Sequence, residues 1–498
     1  MHLRRWMAVT EPRSTAIVLL LLGALLVTSA LLSRVSARSG VPLVLGFVGL
    51  GLLLGEEGVG HIGFRSYTQS FRLGTTALVL ILFDAGLHTP KTTFRRYLAP
   101  AGALATVGVA VTAGLVAFAA HLFGFAWSIA FLLGAIVSST DAAAVFSVLR
   151  AGGVELHERV GATVEVESGL NDPMAVILTL GITESIASGQ PMRFTALLFV
   201  VRELVVGSLV GGAIGALAGT SLKRLQLSVT GLYPVLTIGL AFVTFGAASL
   251  AHGSGFLAVY LAGIFLGNAK LPYKAALERV HDFVAWIGQV GMFVVLGLLA
   301  RPSNIVAVAA PGIGLAAFGA LVARPLAVTV CLVPFRYRIK EIAFVAWVGL
   351  KGAVPIVLAC IPVMAHVPAA FEVFDVVFFV VVFGAALQGS TVRALTKKLK
   401  LGRGLPRARR AALEITAARP LSHELVVFEI GEASAVCGVE VADVPFPPDA
   451  AAMLLVRGDD LLAPRGSTVL QPGDVVHVFC RQEDRPMLEL LFGPSGEG

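Results

Sequence analysis

Between about residue 14 and residue 395 the chain is a succession of apolar runs parted by short polar loops. The runs fall at about 14–32, 40–55, 70–88, 98–122, 126–149, 160–186, 196–221, 230–250, 253–269, 283–300, 305–333, 341–365 and 371–395, most of them near the roughly 20 residues a helix needs to cross a bilayer. Hydrocarbon supplies no water to backbone N–H and C=O groups, so only helices or closed barrels can occupy it. Runs this long and continuous select helices. Charged residues make up 14% of the chain, against about 25% in soluble domains. The chain therefore reads as an all-α polytopic membrane protein of about thirteen helices.

Basic residues orient those helices. Alternate loops hold Arg34, Arg38, Lys91, Arg95, Arg96, Arg150, Arg159, Lys223, Arg224, Lys270, Lys274, Arg279, Arg336, Arg338 and Lys340, whereas the opposite loops hold only Arg65, Arg72, Arg193, Arg202 and Arg301. The positive-inside rule places the first set, and with it the C-terminus, in the cytoplasm. The formal charge of +7 resides in these loops and a basic linker, so anionic lipid is the expected acidic partner and nucleic acid is not. An odd helix count puts the N-terminus outside, against the pull of Arg4, Arg5 and Arg13. The first run, with Val35-Ser-Ala37 behind it, has some marks of a cleaved leader. It is long enough to span and further spans follow, so it is read as a helix.

One stretch breaks the apolar pattern at its centre: Glu165-Val-Glu-Ser-Gly-Leu-Asn-Asp172. A carboxylate at bilayer depth costs roughly 2.5–3.5 kcal/mol even on the lenient insertion scale, so its presence is a functional signal. Ser168 and Asp172 share a helix face at four-residue spacing, and Glu167 and Asn171 share the adjoining one. Such oxygen-bearing groups suit a small cation, and a buried carboxylate can equally take a proton. Cation and proton are expected to compete for Asp172. Two other runs carry helix breakers, Ser138-Ser-Thr-Asp141 in the fifth and Gly349-Leu-Lys-Gly-Ala-Val-Pro355 in the twelfth. They lie seven helices apart, an odd offset, and so cross in opposite directions. This is the signature of an inverted repeat whose broken helices flank a midplane site. Asp141 and Lys351 would offset the partial charges of the opposed helix ends.

The remaining polar features read more modestly. Gly207, Gly211, Gly215 and Gly219 form a small-residue stripe for close helix packing, within the fold or at a dimer contact. Asp84, with His88 one turn on, reads as structural or pH-modulating rather than ion-ligating; Arg202 with Glu203 reads as a local pair; Arg324 reads as a tie between helices or a lining of the core interface; His61, His157, His252 and His281 read as solvated or loop histidines. Cys331, Cys360, Cys437 and Cys480 lack metal-site spacing and read as free thiols. After residue 396 the composition changes. Residues 397–420 form a basic linker carrying Lys397, Lys398, Lys400, Arg403, Arg407, Arg409 and Arg410, suited to anionic headgroups. Residues 421–498 read as a small cytoplasmic α/β module, with strands at Glu424–Ile430, Ala451–Val456 and Val475–Cys480 and turns at Pro464-Arg-Gly466 and Pro472-Gly-Asp474.

Together these motifs resemble the monovalent cation/proton antiporter-1 family, fused to a TrkA-C (RCK C-terminal) regulatory domain. The resemblance spans the whole chain: Glu-Ser-x-Leu-Asn-Asp at Glu167–Asp172, after the Ser-Ser-Thr-Asp helix and before Gly-Leu-Lys-Gly-Ala, with the tail segment Leu461–Asp474. It implies two bundles, a dimer-forming scaffold and a mobile core, in a bacterial inner membrane, with alternating access. Similarity to the bacterial potassium/proton branch favours potassium over sodium. The family pattern makes Asp172 the ion- and proton-binding carboxylate, with Asp141, the Thr140 backbone and Ser168 completing a monovalent cation shell. Asn171 marks the electroneutral branch. Glu167 is expected to pair with the basic residue of the twelfth helix, where the family's usual arginine is here Lys351.

Two other classes compete. A cation channel gated by the tail module would need a selectivity filter, and no Thr-Val-Gly-Tyr-Gly-like segment is present. A sensor that has lost transport is disfavoured by the intact Asn171-Asp172 pair. No P-loop is seen, so neither ATP hydrolysis nor other enzyme activity is expected, and no cofactor. The tail module is left with two roles, a small-ligand site or a dimer contact.

Overall fold

The computed structural model describes residues 13–39, 42–189, 195–225, 227, 229, 231–269, 271, 273–404, 423–432, 434–458 and 460–493. Arg4, Arg5, Arg193, Lys270, Arg407, Arg409 and Arg410 lie outside the described residues. The chain divides into two units: the first comprises Met1–Ser221, Leu227–Ala269 and Glu278–Gly404, and the second takes Leu222–Gln226, Lys270–Leu277 and the chain from Leu405 on.

The first unit is helical throughout its apolar stretches: α1 (Arg13–Ser39), α2 (Leu43–Leu54), α3 (Tyr67–His88), α4 (Lys91–Ala103), α5 (Val109–Leu122), α6 (Trp127–Val137), α7 (Ala142–Ala151), α8 (Glu158–Ser188), α9 (Thr195–Arg224), α10 (Leu232–Leu250), α11 (Gly255–Gly267), α12 (Lys274–Leu299), α13 (Pro302–Ala307), α14 (Ala309–Phe318), α15 (Arg324–Leu332), α16 (Ile339–Trp347), α17 (Val354–Met364) and α18 (Ala370–Leu399). Among the described residues, 8 segments are long and apolar enough to cross a membrane when a helix is counted with its break or irregular turn, and Gly23–Leu32, Leu43–Leu54, Gly255–Gly267 and Val354–Met364 are shorter apolar helices. α8, at 31 residues, is long enough to cross, but its polar motif dilutes its hydropathy. A short antiparallel pair, β1 (Val154–Leu156) with β2 (Gly402–Gly404), joins the loop before α8 to the end of α18.

Both expected helix breaks are visible in the backbone. α6 and α7 are parted at Ser138–Asp141, and α16 and α17 at Val348–Ala353, the two places where the sequence carries breakers. A second matched pair accompanies them. π-helical turns at Leu104–Gly108, between α4 and α5, and at Gly319–Ala323, between α14 and α15, fall in the fourth and eleventh spans, again seven apart. Such turns recur at functional sites because they redirect side chains without ending the helix.

Glycine governs the close approaches. A Cβ on Gly207, Gly211 or Gly215 would strike the backbone of Ser254, Ala258 or Ala262, so the stripe on α9 seats α11 within the fold. Gly86 of α3 and Gly263 of α11 meet the same way. These contacts let α11 lie close to both neighbours.

The second unit is an antiparallel sheet in the order β3-β6-β4-β5, formed by β3 (His423–Glu429), β4 (Ala451–Arg457), β5 (Asp460–Leu462) and β6 (Val475–Arg481). α19 (Arg485–Phe492) covers one face, burying Leu488 and stacking Phe492 on Phe428. Asp474 is buried and accepts from Arg457 Nε and Nη2 at 2.8 and 2.7 Å and from the Gln471 amide at 2.8 Å, which pins the turn before β6. All four cysteines are unbridged.

Candidate functional site

The two breaks meet. The Asp141 amide donates to Leu350 O at 2.7 Å, so each interrupted helix supplies a backbone partner that the other lacks. Lys351 Nζ donates to Ser139 O at 3.0 Å, placing a cation on the carbonyl end of α6, where the helix dipole is negative. Gln388 of α18 donates to Trp347 O at 3.0 Å and so satisfies the end of α16. Asp141 caps α7 by accepting from the Ala144 amide at 3.2 Å, and the first turn of α17 carries Pro355, which needs no partner there.

α8 supplies the rest of the site. Ser168 Oγ donates to Thr140 O at 3.0 Å and accepts from the Ala142 amide at 3.1 Å, stitching α8 across the first break. Asn171 Nδ2 donates to Thr140 Oγ1 at 2.6 Å and lies 3.4 Å from Glu167 Oε1. Its Oδ1 and the Ser139 hydroxyl are buried without a hydrogen-bond partner. Orphaned oxygens of this kind suit a hard cation better than they suit an apolar core.

Glu167 departs from the reading of the sequence. Its carboxylate lies 2.7 Å from Arg324 Nη2, with both side chains almost fully buried, and its expected partner Lys351 is bonded to Ser139 instead. The physical reason is geometric. Arg324 follows the π-helical turn of the eleventh span and presents a planar fork that a buried carboxylate accepts readily, whereas Lys351 is a point charge at a backbone break. Arg324, read from the sequence as a helix tie, is that tie.

Asp172 stands apart from this web. Among the described residues no hydrogen bond or ion pair within 4.0 Å engages it, while Asp141, Glu167 and Lys351 lie within electrostatic reach. It is 9% exposed, against 1% for Glu167 and 0% for Asn171, so it alone of the three keeps an accessible edge. The structure thus brings Asp172, Asp141, Thr140, Ser168, Asn171, Glu167 and Lys351 into one place. It commits Ser168 and the Thr140 carbonyl to each other, and commits Glu167 to Arg324. Sequence reasoning missed Gln388; its signal was a lone amide in an otherwise apolar stretch of the thirteenth run.

Gly352 sets the depth of the site. A Cβ there would collide with the Asp141 carboxylate. Gly352→Ala is expected to push that carboxylate aside and to lower cation affinity about tenfold with insertion intact, by misplacing one charge of the site. Titration of transport against cation concentration checks this, and an unchanged half-saturating concentration would remove Asp141 from the ion site.

Residues 21–398 match the family model described as "Sodium/hydrogen exchanger, transmembrane", and residues 425–493 match the TrkA-C domain model. The chain is 37% identical to the K(+)/H(+) antiporter NhaP of Alkalimonas amylolytica over 96% of its own length and 84% of that protein's. It is 39% identical to the K(+)/H(+) antiporter NhaP2 of Shewanella baltica (strain OS223), over 96% and 83%. Its fold is similar to the solved sodium proton antiporter MjNhaP1 from Methanocaldococcus jannaschii, with a TM-score of 0.67 at 21% identity, covering 77% of this chain and 99% of that one. With crossed broken helices, a free carboxylate beside them and these matches over nearly its whole length, the chain belongs to the sodium/hydrogen exchanger family and is a multi-pass membrane protein whose C-terminal TrkA-C domain is cytoplasmic.

Proposed function

We propose that the protein is a secondary transporter, not an enzyme, that exchanges potassium for protons by alternating access, with the two ions competing for Asp172. The observation that carries this reading is the freedom of Asp172 beside carboxylates that are already engaged. Desolvation penalises a bare buried charge, so Asp172 is occupied by a proton or by a cation. Both loaded forms are electrically compensated and cross cheaply; the empty anion does not, which suppresses leak. Asp141 and the Asn171 carbonyl supply the further oxygens, and Lys351 with the Arg324–Glu167 pair fixes the surrounding charge. Asn171 cannot titrate, so one carboxylate exchanges one proton for one cation and the cycle is electroneutral. Potassium is preferred because the relatives matched over 96% of the chain are named potassium antiporters; sodium is the alternative.

The protein works as a homodimer, its basic linker rests on anionic lipid, and its TrkA-C unit regulates transport, through a small ligand or through a dimer contact. The family resemblance supports the dimer and the regulation, and the linker's run of lysines and arginines supports the lipid contact. The test is proton flux in acid-loaded everted vesicles given potassium, sodium and lithium in turn. Alkalinisation strongest with potassium is expected. A response to sodium alone would reassign the cargo, and none to any cation would end the exchange reading.

A further inference from the structure

Asp172 is not the only carboxylate on its face of α8. Glu165 precedes it by seven residues, two helical turns, which is roughly 10 Å along the axis. α8 starts from the basic Arg150–Arg159 loop, which the positive-inside rule assigns to the cytoplasm, so Glu165 lies on the cytoplasmic side of Asp172. It is partly exposed, and among the described residues it makes no ion pair; His88 and Arg150 are within electrostatic reach. Thr89 Oγ1 lies 3.3 Å from Glu165 Oε1, but that hydroxyl has one proton and directs it to Ala85 O at 2.7 Å. The Tyr260 hydroxyl lies close to both Thr89 and Glu165, fully buried and without a well-formed hydrogen bond. Three oxygens from α8, α11 and the end of α3 thus converge, and the Tyr260 hydroxyl, whose proton is not committed elsewhere, makes no hydrogen bond to the other two.

Tyr260 also explains Gly169. Gly169 lies between Glu165 and Asp172 on the same face, one turn from each. A Cβ there would overlap the phenol end of the Tyr260 ring, so the ring rests directly on the backbone between the two carboxylates. The outer half of α8 has no counterpart: beyond Asp172 that face offers only the Thr179 and Thr183 hydroxyls, buried without partners.

We propose that Glu165, with the Thr89 and Tyr260 hydroxyls, forms a second binding station for the transported monovalent cation on the cytoplasmic side of Asp172, from which the Tyr260 ring separates it. A fixed anion on an approach path raises the local cation concentration and the capture rate. The station therefore serves loading from the cytoplasm and leaves loading from the outside alone. This proposal rests on the exchange reading above.

The test compares two vesicle orientations for the full chain. In everted vesicles potassium is added to the cytoplasmic face, and in right-side-out vesicles to the outer face. Glu165→Gln is expected to raise the apparent KM for potassium about tenfold at the cytoplasmic face, as expected for loss of one charge at a contact site, and to leave the outer-face KM unchanged. Tyr260→Phe, which keeps the ring, is expected to shift the cytoplasmic KM in the same direction by a smaller factor. An unchanged cytoplasmic KM in Glu165→Gln would overturn the proposal. An equal rise on both faces would also overturn it, since that would mark a structural effect on the Asp172 site. Wild-type protein with no exchange from either face would overturn the exchange reading itself, and this proposal with it.

Discussion

Asp172→Asn abolishes cation-dependent proton flux while the protein still inserts and elutes as the wild type does. The asparagine keeps the size of the side chain and removes both of its functions. It cannot release a proton at any working pH, and it cannot neutralise a bound cation. A cation bound beside a neutral amide would cross uncompensated, at a cost of roughly 2.5–3.5 kcal/mol even on the lenient scale, about a hundredfold in rate. No neighbour can take over. Glu167 is held by Arg324 at 2.7 Å, and Asp141 caps α7 at the crossing of the broken helices. Flux retained in a well-inserted Asp172→Asn protein would remove Asp172 from the mechanism and turn attention to Asp141.

The second large effect is on stability. Arg324 and Glu167 are 3% and 1% exposed, so Arg324→Met leaves a carboxylate buried without its partner. Breaking a buried pair from one side costs about 3–5 kcal/mol, whereas removing both charges together is often close to neutral. Glu167 also holds Asn171 and Thr140 within 3.4 Å, so the stranded charge sits in the ion site itself. Arg324→Met should therefore lower the temperature at which the detergent-purified protein loses its monodisperse elution peak, and adding Glu167→Gln should restore much of the loss. If the single variant melts with the wild type, or the double variant is no better than the single, the pair does not hold the core together.

The helices were legible in the sequence because a bilayer leaves the chain so few choices. Hydropathy placed helix in every apolar run, and Gly349 to Pro355 and Ser138 to Asp141 marked both breaks, since breakers in a buried span have few other uses. Which buried cation faces Glu167 was not legible. Lys351 and Arg324 are both basic residues within apolar runs, and choosing between them needs the rotation of the eleventh span, which a π-helical turn resets. That turn has no composition of its own. Tyr260 was invisible for a related reason: an aromatic residue in an apolar helix is the commonest of core residues. Only the glycine beneath its ring and the unpartnered hydroxyl at its tip distinguish it. The glycine stripe on α9 was legible as a packing surface, but its partner α11 could be named only from the fold.

If proton and cation share one carboxylate, cation binding must displace a proton, and the number of protons displaced can be counted. Purified protein in weakly buffered detergent solution, near the pH at which the site is half protonated, would be titrated with potassium while proton release is followed. Binding at Asp172 should release about half a proton per site at that pH and closer to one at lower pH, with the apparent affinity weakening as pH falls because protons compete, and Asp172→Asn should release none. Cation binding without proton release, or the same release from Asp172→Asn, would mean that the two ions do not share Asp172.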